Sequence, residues 1–593
     1  MAARVARSGL ELLLTWAWPV VLALAVLLPL LLSRGYTLRG DMVFVPDQPW
    51  KPAWLGLDGG VPRAVPSDAL TWLAGTALPG DLVQKAVLVL TLVLAGVGMA
   101  RLVREVVGVG DGLGPGRAWL MTAAPVALYV WNPFVYERLS IGHWALLCGY
   151  AALPWVVVAA RGAHPLSVAV PAAVAAWTSP TGGLLAGVTA VAVLATGPGP
   201  RVRRTGVGGL AVVAVNLPWV VPGLLAPATT AGDRGQGMAG VGAFAARADT
   251  PWGVLGSLAS FGGLWKEAVD PPGRDAWLLS GVSLALAVLG VVGLVLLARR
   301  RAGGLAWTLG ALGAGGLLLA WLPTTGTGQD LMDAIGTVLP GGGLLRDSQK
   351  WLAPLVLASC TGLAEVVRRC LDRDGRTESS GALVAAALAV LPLAALPGLA
   401  WGLAGTLGSV PYPEEWHEVR GDLERAGASD DRMVVLPFTV YRRYPWNEQT
   451  AVLDPAPRFF PGDVVVDDAL PVRGGVVPGE SRLADRIRAA ADPPEGLAEV
   501  LAAEDVRFVL VERSTPGGGD VAVPGGDVLH QGEDLVLVDL GHEGDPRRLG
   551  SAGFAAVLVA DALAVAVVVV ALGTAGRRRL SAGRGVRRDA GRA

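Results

Sequence analysis

The chain has 593 residues, of which 52% are hydrophobic and 17% are charged, and its formal net charge is −1. Charge this sparse excludes an all-soluble chain of this length. The net charge gives no sign of nucleic-acid binding, and we expect no nucleic-acid partner.

Apolar stretches long enough to cross a hydrocarbon core as helices recur along most of the chain. The segments that join them alternate between arginine clusters and connections with far fewer basic residues. Under the positive-inside rule, the clusters mark the cytoplasmic ends of the helices. They comprise Arg4 and Arg7; Arg101, Arg104 and Arg117; Arg161; Arg201, Arg203 and Arg204; Arg299, Arg300 and Arg301; Arg368, Arg369, Arg373 and Arg376; and Arg577, Arg578, Arg579, Arg584, Arg587, Arg588 and Arg592.

These anchors predict about twelve transmembrane helices. An even number places both termini in the cytoplasm, in agreement with the basic tails. We interpret the first span as a retained helix, because its apolar run is long and no small-residue cleavage site follows near Arg34. The spans are expected near residues 12–33, 84–103, 118–132, 144–160, 165–178, 182–198, 207–225, 276–298, 304–321, 351–368, 381–407 and 553–574.

Three of the external segments are long connections. The first, from Ser33 to about Gln84, is punctuated by Pro and Trp and predicts a loop with one or two helices at the membrane interface. The second, from Pro227 to Asp275, predicts a re-entrant or interfacial helix in its later half. The third runs from Trp321 to Lys350 and ends in PGGGLLRDSQKW.

A fourth external segment, 408–552, changes from membrane-length apolar runs to short ones. MVVLP from Met433, VRFVLV from Val506 and LVLVDL from Leu535 predict buried strands. Helical periodicity is expected over Glu414 to Ala426 and Ser481 to Ala502. We therefore expect an α-helical polytopic membrane protein with a small extracytoplasmic α/β domain before the last helix: 1–407 with helices 1–11, 408–552 as the α/β domain, and 553–593 as the last helix and basic tail.

Polar residues concentrate at the external ends of helices, where sites are usually built. They lie after helix 1, between helices 3 and 4, and before helix 10. A further acid, Asp561, lies well inside the last apolar run, where a carboxylate is costly unless it faces a cavity or a partner. The external candidates are Asp41 and Asp47; Glu137, Arg138 and His143; and Arg346, Asp347 and Lys350.

This layout resembles the GT-C superfamily, the polytopic glycosyltransferases that take a sugar from a polyprenyl-phosphate carrier. The resemblance covers about residues 10–400 and the architecture of a C-terminal extracytoplasmic domain, and it is strongest to the cell-wall arabinofuranosyl- and mannosyltransferase branch. Such enzymes place an essential acid just after helix 1, where GDMVFVPDQ offers Asp41 or Asp47, and some place a second acid in the next external loop, where Glu137 lies. The first loop has no paired acids, and the C-terminal domain has no signature of an acceptor class.

The resemblance implies a sugar transfer at the external face of a bacterial plasma membrane. A sugar hydroxyl needs a carboxylate to accept its proton, and the lipid-phosphate leaving group needs Arg, Lys or a metal ion beside it. We expect Asp41 to be the general base and Glu137 a second acid or acceptor contact. Arg138, Arg346 and Lys350 are expected to bind the lipid phosphate.

The α/β domain is expected to bind the acceptor glycan, with Trp416 and Trp446 as candidates for stacking on sugar rings or as core residues. No cofactor or metal ligand set is evident in the sequence, although a divalent cation is compatible with the chemistry. Asp347 or Ser348 can instead cap helix 10, and His143 can be an interfacial anchor.

Two other functions are compatible with the sequence. A transporter or flippase of a lipid-linked saccharide fits the number of helices, although such proteins usually contain internal repeats with broken helices. A non-catalytic membrane scaffold for envelope assembly fits the external domain.

Overall fold

The structure, a computed structural model, describes residues 2–108, 115–226, 240–300, 303–338, 342–372, 378–472, 475–491, 496–542 and 548–590. Each of the twelve predicted segments contains a helix at the expected place. The helices before the external domain are α1 (Ala2–Leu32), α2 (Ser67–Gly75), α3 (Gly80–Val107), α4 (Pro115–Val130), α5 (Pro133–Ser140), α6 (Trp144–Arg161), α7 (Ala169–Thr178), α8 (Pro180–Thr196), α9 (Arg201–Leu225), α10 (Gly253–Ala259), α11 (Trp277–Ala298), α12 (Gly303–Trp321), α13 (Gly326–Val338), α14 (Ala353–Asp372), α15 (Glu378–Ala395) and α16 (Ala400–Gly405).

The number of full-length spans is smaller than predicted. Among the described residues, nine helices are long and apolar enough to cross a membrane, and a tenth exists if Ser380–Ala395 and Pro397–Gly405, bent by 69°, count as one span. The other two predicted spans are the shorter apolar helices Pro165–Thr178 and Pro180–Thr196. Proline explains these departures, because it cannot donate the hydrogen bond that continues a helix: Pro180 separates the two short helices, and Pro397 lies at the bend.

The arginine clusters of the five connections between helices form a layer of contacts at one end of the helical bundle. Arg204 donates to three carbonyls at the end of α6 and just after it, and the buried carboxylate of Glu365 accepts from one arginine after α11 and two near the end of α14. The contacts in this layer are Arg204 with Ala160, Gly162 and Ala163; Arg300, Arg368 and Arg369 with Glu365; Arg117 with Asp372; and Arg161 with Glu105. Arg301, Arg373, Arg376 and Arg592 lie outside the described residues. That the termini are cytoplasmic stays a prediction.

The external segment forms the predicted mixed α/β unit. A five-stranded sheet has the order β4-β1-β7-β9-β8, in which β4, β1 and β7 are parallel and β9 and β8 run antiparallel to their neighbours. In place of the single helix predicted over 481–502 there are two helices, Arg482–Ala491 and Leu497–Ala503. The elements are α17 (Glu414–Arg425), β1 (Arg432–Leu436), β2 (Tyr441–Arg443), β3 (Ala451–Leu453), α18 (Ala456–Phe459), β4 (Asp463–Val465), β5 (Leu470–Val472), β6 (Gly475–Val477), α19 (Arg482–Ala491), α20 (Leu497–Ala503), β7 (Val506–Glu512), β8 (Asp527–Gln531), β9 (Leu535–Asp539) and then α21 (Ser551–Ala590).

The central strands are buried on both faces. Val434 of β1 and Val509 of β7 pack with α19 and α20, whereas Met433 and Phe508 pack on the opposite face with α17. Successive side chains of a strand point to opposite faces, so a sheet covered on both sides requires continuous apolar runs. This explains why these strands appear in the sequence as short unbroken hydrophobic segments.

The first external loop and the α/β domain are joined by backbone pairing and ion pairs. Gly40 donates to the carbonyl of Ala451 at 2.8 Å, and its own carbonyl accepts from Leu453 at 2.8 Å. Deeper in the same interface, Arg458 contacts the buried carboxylate of Asp68 at 3.0 Å. These contacts hold the segment that carries Asp41 against the domain.

Candidate functional site

A cavity of about 980 Å³ lies between the membrane helices and the α/β domain, at the end of the bundle opposite the arginine layer. It is lined by the loop after α1, the turn between α5 and α6, the turn between α7 and α8, the segment before α14 and several loops of the domain. The charged residues among the lining are seven basic and four acidic ones: Arg63, Lys266, Arg346, Lys350, Arg442, Arg443 and Arg458, with Asp41, Asp347, Asp468 and Glu480.

Two glycines allow the loops that carry Asp41 and His143 to cross in direct contact. Gly142 has a φ of +83°, and a Cβ on it would lie 2.2 Å from the carbonyl oxygen of Arg39. Gly40 has a φ of +53°, and a Cβ there would lie 1.9 Å from the carbonyl oxygen of Ile141. Only glycine fits such an approach at these dihedral angles. The sequences GDM and IGHW therefore bring Asp41 beside His143.

Asp41 lies in the cavity wall with both carboxylate oxygens hydrogen-bonded. Its Oδ2 is 3.2 Å from Nε2 of His143, and its Oδ1 accepts the hydroxyl of Tyr441 at 2.5 Å. The side chain keeps 42% of its surface accessible, so lone pairs remain for a ligand. Burial opposes ionisation, but the hydrogen bonds from His143 and Tyr441 and the charge of Lys266 outweigh it and hold the pKa of Asp41 below its ordinary value.

The tautomer of His143 follows from its partners. Nη1 of Arg138 lies 2.8 Å from Nδ1 of His143, and a guanidinium can only donate. The imidazole therefore carries its proton on Nε2 and donates it to Asp41.

Arg138 lies behind the cavity wall rather than in it. Its side chain is fully buried, and its Nη1 and Nη2 donate to the two carboxylate oxygens of Asp347 at 2.5 and 3.2 Å. It also donates to Gln349. Burial alone would raise the pKa of Asp347, but Arg138 outweighs it and lowers that pKa to about 2. The expected phosphate contact of Arg138 is corrected accordingly, because four of its five donors are already used.

Glu137 also faces away from the cavity. It is completely buried, and its oxygens accept from the backbone amide of Gly263 at 3.1 Å and from Nε2 of Gln349 at 2.7 Å. These bonds tie α5 to the second external segment and to the start of α14. The expected role of Glu137 as a second acid or acceptor contact has no support in this geometry, since no oxygen of Glu137 reaches the cavity.

Arg346 and Lys350, the two other residues expected to bind the lipid phosphate, line the cavity. The guanidinium of Arg346 lies 5.1 Å from the ring centroid of Phe244, a distance typical of a cation–π contact. Burial lowers the pKa of Arg346 from its ordinary value, although the group remains a cation. Lys350 has no carboxylate within 4 Å among the described residues, so its charge is available to a ligand.

A second, apolar groove of about 740 Å³ runs along α3, α6 and α7. Most of its lining is aliphatic, and it shares Ser67, Trp144 and Thr178 with the charged cavity. Its opposite end reaches Arg101 and Gly162 beside the arginine layer. On α3 it extends from Val83 to Arg101, which is about 27 Å at 1.5 Å per residue and close to the thickness of a hydrocarbon core.

Three groups of predicted residues lie outside the cavity. Asp47 is exposed, and its backbone carbonyl accepts from Arg420 of α17. Asp561 lies within α21, where its Oδ2 is buried without a hydrogen-bond partner among the described residues. Trp416 is fully buried in an aromatic cluster with Trp446, so the hypothesis that these rings stack on sugars is replaced by the core role that the sequence also allowed.

The cavity also contains residues that the sequence analysis did not single out. Two of them, Tyr441 and Arg443, lie on β2. Pro437, just after β1, and Thr515, after β7, also line the cavity, so the carboxyl ends of these two parallel strands face it. That edge is where open α/β sheets usually bind ligands. The run YRRYPW shortly after the first predicted strand was the available signal. Among the described residues, no group of three or more His, Cys, Asp or Glu side chains is arranged to hold a metal ion.

Two solved structures of the arabinofuranosyltransferase AftD from mycobacteria share this architecture. The first is 15% identical to this chain, covers 91% of it and has a TM-score of 0.52. The second is a mutant form, which is also 15% identical, covers 91% of this chain and has a TM-score of 0.53. The chain therefore shares the fold of these two structures. The chain spans only 40% and 42% of the length of those two structures. No family model and no curated protein sequence matches it.

Proposed function

We propose that the chain is an integral membrane glycosyltransferase that takes a sugar from a polyprenyl-phosphate donor and transfers it to a cell-envelope glycan or glycolipid on the external face. The observation that carries the proposal is the junction of two unlike cavities. A polar, cation-rich chamber and an apolar groove of membrane length share Ser67, Trp144 and Thr178. A lipid phosphate is itself a charged head on a long apolar tail, and it fits this junction.

The groove would hold the isoprenoid tail, because its lining has little polar surface and its length matches the hydrocarbon core. The head would then lie in the chamber beside the lining residues that the two cavities share. Arg346 and Lys350 would bind the phosphate, since both line the chamber and Lys350 has no carboxylate within 4 Å among the described residues. Arginine offers a phosphate two parallel hydrogen bonds, and lysine adds a point charge.

Asp41 would act as the general base. The acceptor hydroxyl attacks the anomeric carbon and gives its proton to Asp41, while the bond from that carbon to the phosphate oxygen breaks and polyprenyl phosphate leaves. The low pKa of Asp41 keeps it ionised and ready to accept a proton. His143 and Tyr441 orient the carboxylate from its two sides.

Glu137, Arg138 and Gln349 would support this site from behind the cavity wall, and Asp347 would support it from within the wall. Asp347 holds Arg138, Arg138 fixes the ring nitrogen of His143, and Glu137 holds Gln349. Such a shell keeps reactive groups in position, which matters because a misplacement of about 1 Å costs on the order of 100-fold in rate. We therefore assign these four residues a positioning function.

The test is donor cleavage by the purified full-length chain in lipid nanodiscs. Polyprenyl-phosphate arabinofuranose, carrying a radiolabelled sugar, is the first donor to try, because the similar structures are of an arabinofuranosyltransferase. A glycosyltransferase releases polyprenyl phosphate and moves the label to an added envelope glycan. Failure to cleave this donor and a panel of other polyprenyl-phosphate sugars in the presence of envelope glycans contradicts the proposal.

A lipid-saccharide flippase is the second candidate, and one observation favours it. The groove reaches from the charged cavity to Arg101 at the opposite end of the bundle, so a lipid could be guided across the whole membrane. In proteoliposomes, a flippase moves the intact donor between leaflets without breaking the sugar–phosphate bond. Recovery of the intact labelled lipid in the opposite leaflet, with no free polyprenyl phosphate, would favour this candidate over the transferase.

A further inference from the structure

The charged cavity contains seven cations, and two pairs of them are carried by different parts of the chain. Arg346 and Lys350 belong to the segment just before α14. Lys266 follows Trp265, which packs against Ile141, and the carbonyl of Ile141 accepts from the backbone amide of Asp41 at 3.1 Å. We call Arg346 and Lys350 the first lobe, and Lys266 and Arg443, which lie on the side of Asp41, the second lobe.

The second lobe combines a membrane-side loop with the α/β domain. Lys266 follows the buried Leu264 in the second external segment and is half-buried in the cavity wall. Arg443 lies on β2, two residues from Tyr441, so both side chains point to the same face of the strand. Nη1 of Arg443 donates to the carbonyl of Gln449 at 2.8 Å, which steadies the guanidinium at the cavity rim.

Among the described residues, neither Lys266 nor Arg443 has a carboxylate within 4 Å, so neither cation of this lobe is held in an ion pair. Arg39 adds a third cation behind them, held by a bond of 2.8 Å from its Nε to the carbonyl of Ser140. Asp41, the acid whose charge acts on Lys266, already accepts from His143 and Tyr441. Burial, together with the nearby charges of Arg39 and Arg443, lowers the pKa of Lys266 although Asp41 opposes the shift, and a bound anion would offset the repulsion among these cations.

We propose that Lys266 and Arg443 form a second anion subsite that binds a phosphate or carboxylate group of the acceptor, so that the acceptor is an anionic glycan or glycolipid. The inference rests on the proposed function, in which the first lobe takes the donor phosphate. Lys350 lies at the start of a membrane helix, whereas Arg443 belongs to the external domain, and the acceptor approaches from that side. An anion held here places a neighbouring hydroxyl next to Asp41.

Anion binding can be measured without any turnover. The full-length chain and its variants are titrated with inorganic phosphate and, separately, with methyl glucuronide as a carboxylate probe, in low-salt buffer with calorimetric detection. The first-lobe variant is Arg346→Gln with Lys350→Gln. The second-lobe variant is Lys266→Gln with Arg443→Gln. Arg425→Gln, at a side chain that is 76% exposed on α17, is the matched control.

The first-lobe variant should still bind one anion, and combining both pairs of changes should weaken that remaining affinity by about tenfold or more, since charge-assisted bonds are lost. The preferred probe then identifies the acceptor group as a phosphate or a carboxylate. If the first-lobe variant alone abolishes binding of both probes, the second subsite does not exist. If the donor is never cleaved but second-lobe binding persists, the proposed function fails while the anion subsite stands.

In the proposed reaction, the second-lobe variant should change the KM for the acceptor but not the KM for the donor. In the transferase assay, the second-lobe variant should raise the KM for an anionic acceptor by about tenfold and leave the donor KM unchanged. The KM for a neutral acceptor of the same length should not change, and any change in kcat that follows from the loss of Lys266 near Asp41 should be the same for both acceptors. Equal increases in KM for neutral and anionic acceptors would overturn the inference, because they would indicate a merely structural role.

Discussion

Replacing Asp41 by Asn removes a base while keeping its shape. The amide oxygen of Asn can accept from Nε2 of His143, and its NH₂ group can donate to the hydroxyl oxygen of Tyr441, so both hydrogen bonds of the native carboxylate are conserved in kind. Loss of the charge weakens them, at a cost of about 1 kcal/mol in folding free energy. We therefore expect Asp41→Asn to fold normally.

The effect on the chemical step should be far larger. A positioned general base contributes roughly 10² to 10⁴ in rate, which corresponds to about 3 to 5 kcal/mol of the barrier. We expect kcat for sugar transfer to fall by that factor, whereas the KM for the lipid donor, set by the phosphate lobe and the groove, should change little.

The assay is transfer of a labelled sugar from a polyprenyl-phosphate donor under initial-rate conditions, with the melting temperature and expression level as folding controls. Asp47→Asn is the matched control, because Asp47 belongs to the same loop but is exposed and does not line the cavity. Turnover of Asp41→Asn within about threefold of the wild type, in a folded protein, would refute the assignment of Asp41 as the base.

Four further predictions follow from the same geometry. Arg346→Gln should raise the donor KM by about tenfold or more, and Arg346→Lys should retain part of the affinity, since it keeps the charge but loses the paired hydrogen bonds; equal KM values would move the donor phosphate elsewhere. Val87→Phe should narrow the apolar groove and raise the KM for a long-chain donor, whereas Leu82→Phe should not, because Leu82 lies on the same helix but is 47% exposed and outside the groove. The same donor KM in both variants would contradict binding of the isoprenoid tail in this groove. Because the pKa of Asp41 is lowered, its stabilising contribution exists above its ordinary pKa of about 4 and is lost only as the pH falls through the lower folded value, so pH–rate measurements between about pH 5 and pH 8 should show no titration of Asp41. In a Cys370→Ser background, a cysteine at the exposed Ser429 should react with a membrane-impermeant reagent from outside the cell, and one at Val202, 91% exposed at the start of α9, should not; the reverse pattern would invert the topology.

The membrane architecture was largely accessible from the sequence, and its departures have a local cause. Hydropathy and arginine clusters located a helix in every predicted segment. The single span predicted over 381–407 is bent at Pro397, and two others are short because Pro180 separates them. A window of mean hydropathy does not register such breaks, since proline acts on the backbone hydrogen bond rather than on polarity.

Individual site residues were harder to predict than the loops that carry them. The sequence indicated the loops around Asp41, His143 and Arg346, and all three meet in the cavity. It did not distinguish Arg138 from Arg346 as a phosphate ligand, because both are arginines at external helix ends. Only the contact between Arg138 and Asp347, 209 residues apart, shows that one is engaged and the other is available.

The sequence by itself determined the class of the protein, the positions of its helices and the short strands of its external domain. These properties depend on the polarity and backbone preferences of neighbouring residues, which a sequence displays directly. The tertiary structure decided which side chains share a cavity, as in the bond between Asp41 and Tyr441 across 400 residues of chain. It also decided that the pKa of Asp41 is lowered, since that shift depends on burial and on the hydrogen bonds and charges that folding brings close.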